Sequence, residues 1–337
     1  MWLIYALGGG WGHLTRAVAL ARRAERHRAV RILTNSRYAG MVAAALPSLD
    51  LAILDSEAPA EVTRRAVVRE ILECGPSCLI VDTFPRGIGG ELAGVLGTLE
   101  IPKVLVHRDL NPYYVSAARL RTFVEAHYDL VLVPGAGEGL AFGGLRGAWT
   151  TAPWLVRSAD ELPDRENVAR LLRLAPGQEH CVLVLAAGKE DELQWYLAVV
   201  RELARFAPDV PVRLVAAERP PDCAAGNWVS YWPAMDLFGC AAVVVGGAGY
   251  NTVQECLAWG VPLVARAWPR RYDRQELRAA RGLATLVLEP EEAARTALRQ
   301  MRDATPAAPA FVNGVGEAVA RIVRLEGSSI PAGIMNE

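Results

Sequence analysis

The stretch that decides the fold is Ala242-Val243-Val244-Val245-Gly246-Gly247-Ala248-Gly249-Tyr250-Asn251-Thr252. Its apolar run predicts a buried strand, its glycines predict a tight turn, and the residues after them predict the start of a helix. Gly260-Val261-Pro262 then predicts the end of that helix and the start of another strand. A strand, a glycine-rich turn and a helix in this order form the unit from which parallel sheets are built.

The same alternation of short apolar runs and amphipathic stretches continues through the chain. Because the apolar runs do not alternate with polar residues, we expect parallel sheets covered by helices on both faces. The predicted strands are Trp2–Leu7, Val30–Thr34, Cys78–Asp82, Lys103–His107, Leu130–Pro134, His180–Ala186, Val212–Ala216, Ala242–Val245 and Pro262–Ala265. The predicted helices include Leu14–Glu25, Val62–Glu73, Leu193–Phe206 and Thr252–Trp259.

The series divides near Thr150–Pro163, a stretch with two prolines and polar turn residues. We therefore expect an α/β protein of two doubly wound, Rossmann-like domains that face each other across a cleft. The predicted domains are residues 1–155 and 156–311. Residues 312–325 should form a closing helix that returns to the first domain, and residues 326–337 a frayed tail. In such folds ligands bind at the carboxyl ends of the strands.

Composition excludes several classes of protein. The 337 residues carry 36 basic and 37 acidic side chains, a net charge of -1, which offers no general reason to bind nucleic acid or a membrane surface. No apolar run approaches the roughly 20 residues of a membrane span, and the first residues lack a basic leader, so we expect a cytoplasmic protein. The six cysteines lack metal-ligand spacing and are expected to be small buried side chains.

The first glycine-rich loop, Gly8-Gly9-Gly10-Trp11-Gly12-His13, follows the first strand and opens a helix. A dinucleotide fingerprint needs glycine where His13 or Thr15 stands, so a nicotinamide site is excluded. The positive end of a helix favours the neutral form of His13, which suits a general base. A capping or packing histidine explains the position equally well.

The second glycine-rich loop points several N–H groups and the Thr252 hydroxyl at an anion such as a diphosphate. Glu255 lies one turn further along, where a carboxylate can accept two sugar hydroxyls. A tight turn with a solvated glutamate is the simpler alternative for the loop alone. Downstream, Asp273 and Gln275 offer groups for sugar hydroxyls. Arg270 and Arg274, nearby, are expected to be solvated.

Two further stretches of this half have the right chemistry for a nucleotide. Ala187-Gly188-Lys189 closes the first strand and is a second place where backbone can meet phosphate. Trp232-Pro233-Ala234-Met235 can wall a base pocket, although such a stretch is more often part of a core.

Together these residues resemble a family. Gly249 to Pro262, followed by Asp273-Arg274-Gln275, resembles the donor-site signature of the lipid II-forming N-acetylglucosaminyltransferases, which are glycosyltransferase family 28-like; the Gly12-His13 loop resembles their first loop. The resemblance implies the GT-B fold, with an acceptor domain followed by a donor domain. It also implies a nucleoside diphosphate sugar as substrate, UDP first and dTDP next, with no cofactor and no metal. Asp82-Thr83-Phe84-Pro85-Arg86-Gly87 and His107-Arg108-Asp109 resemble instead a bacterial group of predicted glycosyltransferases.

The residues and the resemblance together suggest roles for individual positions. Asp82 and Asp109 stand at strand ends that face the predicted cleft, so either could orient His13 or act as the base itself. The predicted base is His13 or Asp109, and capping of a turn is an equal alternative for Asp82. Candidates for the donor site are Gly188, Met235, Gly247, Ala248, Gly249, Asn251, Thr252, Glu255, Asp273 and Gln275. Candidates for the acceptor site are Gly10, Trp11, Thr83, Arg86 and Arg108.

The predicted activity is transfer of a sugar from the nucleotide to a hydroxyl or a similar acceptor group. We expect it to be metal-independent because the sequence has no Asp-x-Asp motif, and the resemblance implies that it is inverting. We expect a small molecule or a glycan as acceptor rather than lipid I, and the chain is compatible with a homodimer. Two alternatives stay open: a nucleotide-sugar hydrolase on the same fold, and a non-catalytic subunit that binds a nucleotide sugar or a partner protein.

Overall fold

The computed structural model describes residues 1–135, 139–281, 284–303 and 309–329. The chain divides into two compact units. Unit 1 comprises Met1–Val156 and the residues from Val312 onward, and unit 2 comprises Arg157–Phe311.

Unit 1 is built on a parallel seven-stranded sheet with the strand order β3-β2-β1-β4-β5-β6-β7. Its central strands are buried on both faces because helices cover both sides of the sheet. The strands are β1 Trp2–Tyr5, β2 Val30–Thr34, β3 Asp50–Ile53, β4 Cys78–Asp82, β5 Lys103–Val106, β6 Leu130–Pro134 and β7 Ala148–Thr151. The helices are α1 Trp11–Ala24, α2 Ala39–Ala45, α3 Ala60–Cys74, α4 Pro112–Ala117 and α5 Leu120–His127.

Unit 2 is built on a parallel six-stranded sheet with the strand order β10-β9-β8-β11-β12-β13. One face of the sheet packs on α7 and α10, with Trp195 and Tyr196 in the core. The strands are β8 Cys181–Leu185, β9 Val212–Val215, β10 Trp228–Val229, β11 Ala241–Gly247, β12 Leu263–Arg266 and β13 Thr285–Leu286. The helices are α6 Arg165–Leu171, α7 Glu190–Phe206, α8 Tyr250–Trp259, α9 Gln275–Arg281 and α10 Pro290–Asp303.

A strand occurs at each of the nine predicted places, and the predicted class of two parallel-sheet α/β units is confirmed. The prediction missed β3, β7, β10 and β13, which are the four edge strands of the two sheets. An edge strand is exposed on one side, so it needs no continuous apolar run, and β10 and β13 are only two residues long.

The last helix of the described chain, α11 (Val315–Ser329), belongs to unit 1 and packs on α1. The carboxylate of Glu326 accepts hydrogen bonds from Arg28 Nε at 3.1 Å and from Ser77 Oγ at 2.8 Å. The predicted closing helix therefore extends to Ser329. Residues 326–329, predicted to be tail, are helical, and residues 330–337 lie outside the described residues.

Across the described ranges, the model contains no helix with the length and apolarity of a membrane span.

Two glycines near the ends of α11 should respond to alanine in opposite ways. A Cβ at Gly314 would overlap the backbone of Ala152, whereas a Cβ at Gly327 would meet open space. We expect Gly314→Ala to destabilise unit 1 by about 1–3 kcal/mol, the usual cost of overpacking, because backbone must move. Gly327→Ala is the matched control and should stabilise the helix by up to about 1 kcal/mol. Thermal unfolding of both variants checks this, and equal stability would contradict it.

Candidate functional site

The candidate site of unit 1 lies at the carboxyl edge of its sheet. Because β1 and β4 are parallel neighbours, the loops that follow them meet, and His13 comes to lie beside Asp82. His13 Nδ1 is 2.6 Å from Asp82 Oδ2, and Asp82 is 2% exposed. A carboxylate only accepts hydrogen bonds, so Nδ1 must carry the proton. The other ring nitrogen, Nε2, is then the basic one.

A buried arginine holds the carboxylate in place. Arg16, which is 1% exposed, donates from Nε to Asp82 Oδ1 at 3.0 Å and from Nη2 to Oδ2 at 2.6 Å. The hydroxyl of Thr83 donates to Oδ2 at 3.1 Å. Burial on its own would raise the pKa of Asp82, but Arg16 and the bond from His13 outweigh it and lower this pKa well below its ordinary value. Asp82 is therefore an ionised carboxylate.

His13 is neutral near pH 7 in this environment. Burial lowers the pKa of its imidazole, the Asp82 carboxylate raises it, and Arg16 and Arg108 lower it again, with a net shift downward. The ring lies directly over Gly8, where any Cβ would overlap the imidazole and where φ is +148°. The Gly8 amide is anchored by Asn35 Oδ1 at 2.8 Å. The glycine is thus required both by its backbone conformation and by the approach of His13.

The predicted acceptor residues lie in several places around this edge. Gly10 precedes α1 as its N-cap, and Trp11 stacks on Tyr38 with ring centroids 4.2 Å apart. Thr83 has a φ of +71°, an uncommon conformation that is enriched at functional sites. Arg86, in contrast, lies over the ring of Phe123 at 4.6 Å.

Two residues that follow β5 complete the description of this edge. Arg108 is half-buried and lies close enough to His13 to lower its pKa. Asp109, the other candidate base, is half-buried in the same loop. The carboxylate that hydrogen-bonds His13 is that of Asp82.

A separate candidate site, that of unit 2, lies at the carboxyl edge of its sheet. There β8, β11 and β12 are neighbours, so the loops after them converge. The loop after β11 leads into α8, whose N-cap Gly249 has no side chain to cap the helix and whose first turn contains no acidic residue. The first N–H groups of α8 therefore present partial positive charge, as an anion site requires.

Glu255 is the unusual carboxyl group of this half. It is 7% exposed and has no hydrogen-bond partner among the residues that the structure describes. Burial raises the pKa of Glu255 to about 7, and the nearby carboxylate of Asp236 adds to the shift. Asp236 itself is held by Arg157, with Nε–Oδ1 at 3.0 Å and Nη2–Oδ2 at 2.9 Å. A carboxyl group that is largely removed from water is stabilised by hydrogen-bond donors, which a bound ligand could supply.

Asp273 and Gln275 are already engaged within unit 2. Asp273 forms an ion pair with Arg278, which also donates to the carbonyl of Ala248 at 3.2 Å. Gln275 Oε1 accepts from the backbone N–H of Trp268 at 2.9 Å. Both side chains thus brace the loops after β11 and β12.

The other predicted donor residues belong to these loops or to the helix before β11. Met235 is fully buried in the 3-10 helix Ala234–Cys240, which follows Pro233. Gly247 lies against Tyr196, and Ala248 is fully buried. Asn251 and Thr252 are half-buried in the first turn of α8, and Gly188 follows β8.

The expectation that Arg270 is solvated is wrong. Arg270 forms a two-point ion pair with Glu192 on α7, with Nη1–Oε1 at 2.6 Å and Nη2–Oε2 at 2.7 Å. Glu192 is 1% exposed. The only signal in the sequence was a glutamate in the first turn of the helix after Gly188, and nothing in the sequence pairs it with an arginine 78 residues away.

Within residues 1–135, 139–281, 284–303 and 309–329, no group of three or more His, Cys, Asp or Glu side chains is arranged to hold a metal ion.

Comparison with known proteins places the fold. No family model and no curated protein matches the chain. Among solved structures, the S. aureus MnaA–UDP co-structure matches with 14% identity over 98% of this chain and 97% of that chain, TM-score 0.62. The calicheamicin glycosyltransferase CalG4 matches with 16% identity over 98% and 99%, TM-score 0.60. SnogD, a glycosyltransferase from Streptomyces nogalater, matches with 18% identity over 97% and 100%, TM-score 0.58.

The chain has the GT-B fold. At these identities the likeness shows the fold and not the activity, so the resemblance to the lipid II-forming family stays a prediction. The GT-B fold was itself predicted, and it is confirmed.

The hydrogen bond between His13 and Asp82 makes a prediction that needs no substrate. Since the Asp82 carboxylate raises the pKa of His13 against burial, Asp82→Asn should lower that pKa further. Titration of the His13 ring resonances by NMR measures the change. The ring resonances of the exposed His27, recorded in the same spectra, serve as the internal control. A His13 pKa that stays the same or rises would contradict the proposed electrostatics.

Proposed function

We propose that the protein is a glycosyltransferase that moves a sugar from a nucleoside diphosphate sugar to a hydroxyl group of an acceptor. The observation that carries the proposal is Glu255, a nearly buried carboxyl group without a donor, one turn behind the glycine-rich loop and the uncapped start of α8. A nucleoside diphosphate has both groups that such a site would bind: a ribose diol for Glu255 and a diphosphate for the start of α8.

In the donor half, the diphosphate binds at the N-terminus of α8 and Glu255 accepts hydrogen bonds from the two ribose hydroxyls. The partial positive charge at the start of α8, whose first turn contains no acidic residue, favours the negative charge that develops on the leaving diphosphate. We propose that this stabilisation replaces a metal ion. Uridine is the first base to test, on the family resemblance and because the MnaA neighbour was solved with UDP.

In the acceptor half, His13 acts as the general base. Its Nε2 takes the proton of the acceptor hydroxyl while Nδ1 keeps its hydrogen bond to Asp82, so the imidazolium that forms lies beside a carboxylate. The acceptor oxygen forms a bond to the anomeric carbon, and the bond from that carbon to the diphosphate breaks. The nucleoside diphosphate leaves with the electron pair of that bond.

We favour His13 over Asp109 as the base for a geometric reason. His13 is neutral, its proton is assigned to Nδ1 by Asp82, and its basic nitrogen is oriented by packing over Gly8. Such orientation is what proton transfer requires. The partly exposed stack of Trp11 on Tyr38, next to His13 in sequence, suits a small molecule or a glycan with a flat face as acceptor.

Donor affinity should depend on pH through Glu255. Its pKa is raised to about 7, so below pH 7 the group is protonated and has lost acceptor capacity, whereas above pH 7 it is ionised and binds two hydroxyls. We expect affinity for the nucleotide sugar to rise from pH 6 to pH 8 and then level off. Titration calorimetry measures this, after a panel of UDP, dTDP, GDP, ADP and CDP has identified the base.

The diester phosphates of a nucleotide sugar stay ionised over this range, so they do not confuse the measurement. Glu255→Gln should weaken binding and flatten the pH dependence. Glu276→Gln is the matched control, because Glu276 is exposed on α9 of the same unit. Equal loss in both variants, or no binding by any of the five nucleotides, would refute the donor site.

Turnover should depend on His13 far more than donor binding does. We expect His13→Ala to reduce the rate by roughly 10²–10⁴-fold, the usual contribution of a general base, with donor affinity largely unchanged. Release of nucleoside diphosphate in EDTA, with candidate glycans and small alcohols as acceptors, provides the assay.

His27→Ala is the control for the loss of a histidine. A wild-type rate in His13→Ala would remove His13 from the mechanism. Release that is equally fast without an acceptor would identify the protein as a nucleotide-sugar hydrolase. Loss of activity in EDTA that magnesium restores would show that a metal is needed.

A further inference from the structure

The ion pair between Arg270 and Glu192 connects two loops at the carboxyl edge of the sheet of unit 2. Glu192 lies in the first turn of α7, which follows β8, and Arg270 lies in the loop after β12. Since β11 lies between β8 and β12 in the sheet, the pair joins the loops on either side of the glycine-rich loop. The side chain of Arg270 is 32% exposed and the side chain of Glu192 is 2% exposed, so the arginine is the partner that faces solvent.

The Glu192 carboxylate occupies a position where a phosphate could lie. It is packed against Gly188, the residue that closes β8, so closely that any Cβ there would overlap it. Gly188 has a φ of +143°, so an L side chain is excluded by conformation as well. The glycine backbone that could meet a phosphate is thus already covered by an anion of the protein.

The start of α7 is poorly suited to a phosphate without help. Its first turn contains three acidic residues, Glu190, Asp191 and Glu192, which take up the positive charge of the helix end. The first turn of α8 contains none. A diphosphate bound at α8 would therefore meet carboxylate repulsion on the α7 side unless a cation lay between them. Arg270 is the cation held on Glu192.

From these observations, and resting on the proposed function, we infer that Arg270 binds the diphosphate of the nucleotide donor and that Glu192 is the anion it exchanges for that diphosphate. Guanidinium groups form two-point hydrogen bonds with phosphate as they do with carboxylate, so the exchange replaces like with like. Glu192 keeps Arg270 in place while the site is empty, and it competes with the nucleotide. Arg270 thereby makes the site selective for a diphosphate over a nucleoside.

The two partners should then have opposite effects on binding, which a purely structural ion pair would not produce. Arg270→Gln should weaken the binding of UDP and of inorganic pyrophosphate by roughly tenfold to a hundredfold, the range for one charge-assisted hydrogen bond, and leave uridine unchanged. Glu192→Gln should strengthen UDP binding, because the competing carboxylate is gone. Arg270→Lys should retain part of the affinity for UDP, because lysine keeps the positive charge but cannot form the two parallel hydrogen bonds of a guanidinium group.

Titration calorimetry on the full chain without metal, with UDP, uridine and inorganic pyrophosphate, provides the test. Arg271→Gln is the matched control. Arg271 is exposed and adjacent to Arg270 in the sequence, and this substitution removes the same charge. If Arg270→Gln binds UDP as the wild type does, or if both Arg270→Gln and Glu192→Gln weaken UDP and uridine alike, the inference is overturned and the donor site stands.

If the panel selects dTDP, GDP, ADP or CDP in place of UDP, that diphosphate and its nucleoside take the places of UDP and uridine in the same comparison. If the wild type binds none of the five diphosphates, both the inference and the proposed function fail. The two failures are therefore distinguishable by the wild-type titration alone.

Discussion

Parallel pairing of neighbouring strands is the constraint on which the candidate site of each unit depends. In unit 1 it aligns β1 with β4, and in unit 2 it aligns β8, β11 and β12. Because parallel strands end at one edge, residues from distant parts of the chain meet there. His13 and Asp82 are 69 residues apart in sequence, and Glu192 and Arg270 are 78 apart. Helices cover both faces of each sheet, so the loops at the carboxyl edge carry the side chains of the candidate sites.

Buried charge is the second theme of the molecule. Asp82 and Glu192 are both almost inaccessible carboxylates, and each is matched by an arginine with two hydrogen bonds. Removing a charge from water is costly, and the attraction within a buried ion pair offsets this cost only when the geometry of the pair is good. Such pairs are weak devices for stability, but they fix side chains in one arrangement. Glu255 is the exception. Within the described part of the chain no arginine pairs with it, and burial instead raises its pKa to about 7, which favours the uncharged form.

The strands of the interior could be predicted because each is a continuous apolar run. The two glycine-rich loops could be predicted because glycines follow these apolar runs at the strand ends. Edge strands such as β3 and β7 could not be predicted in this way, because exposure on one side lets them carry polar residues. Glu255 was predicted as a candidate from its spacing to the glycine loop, which a helix preserves as one turn. Arg270 was misjudged because an exposed and a paired arginine look the same in a sequence rich in arginine.

The amino-acid sequence by itself determined where the strands and helices of the interior lie, where the chain turns, and which side chains stand at the strand ends, because these follow from local periodicity and backbone freedom. Only the tertiary structure decided which of those side chains face each other. It selected Asp82 as the partner of His13, gave Arg16 to that carboxylate, and placed Arg270 on Glu192. The physical reason is that charge pairing and burial depend on distance in space, which strand order sets and sequence spacing does not.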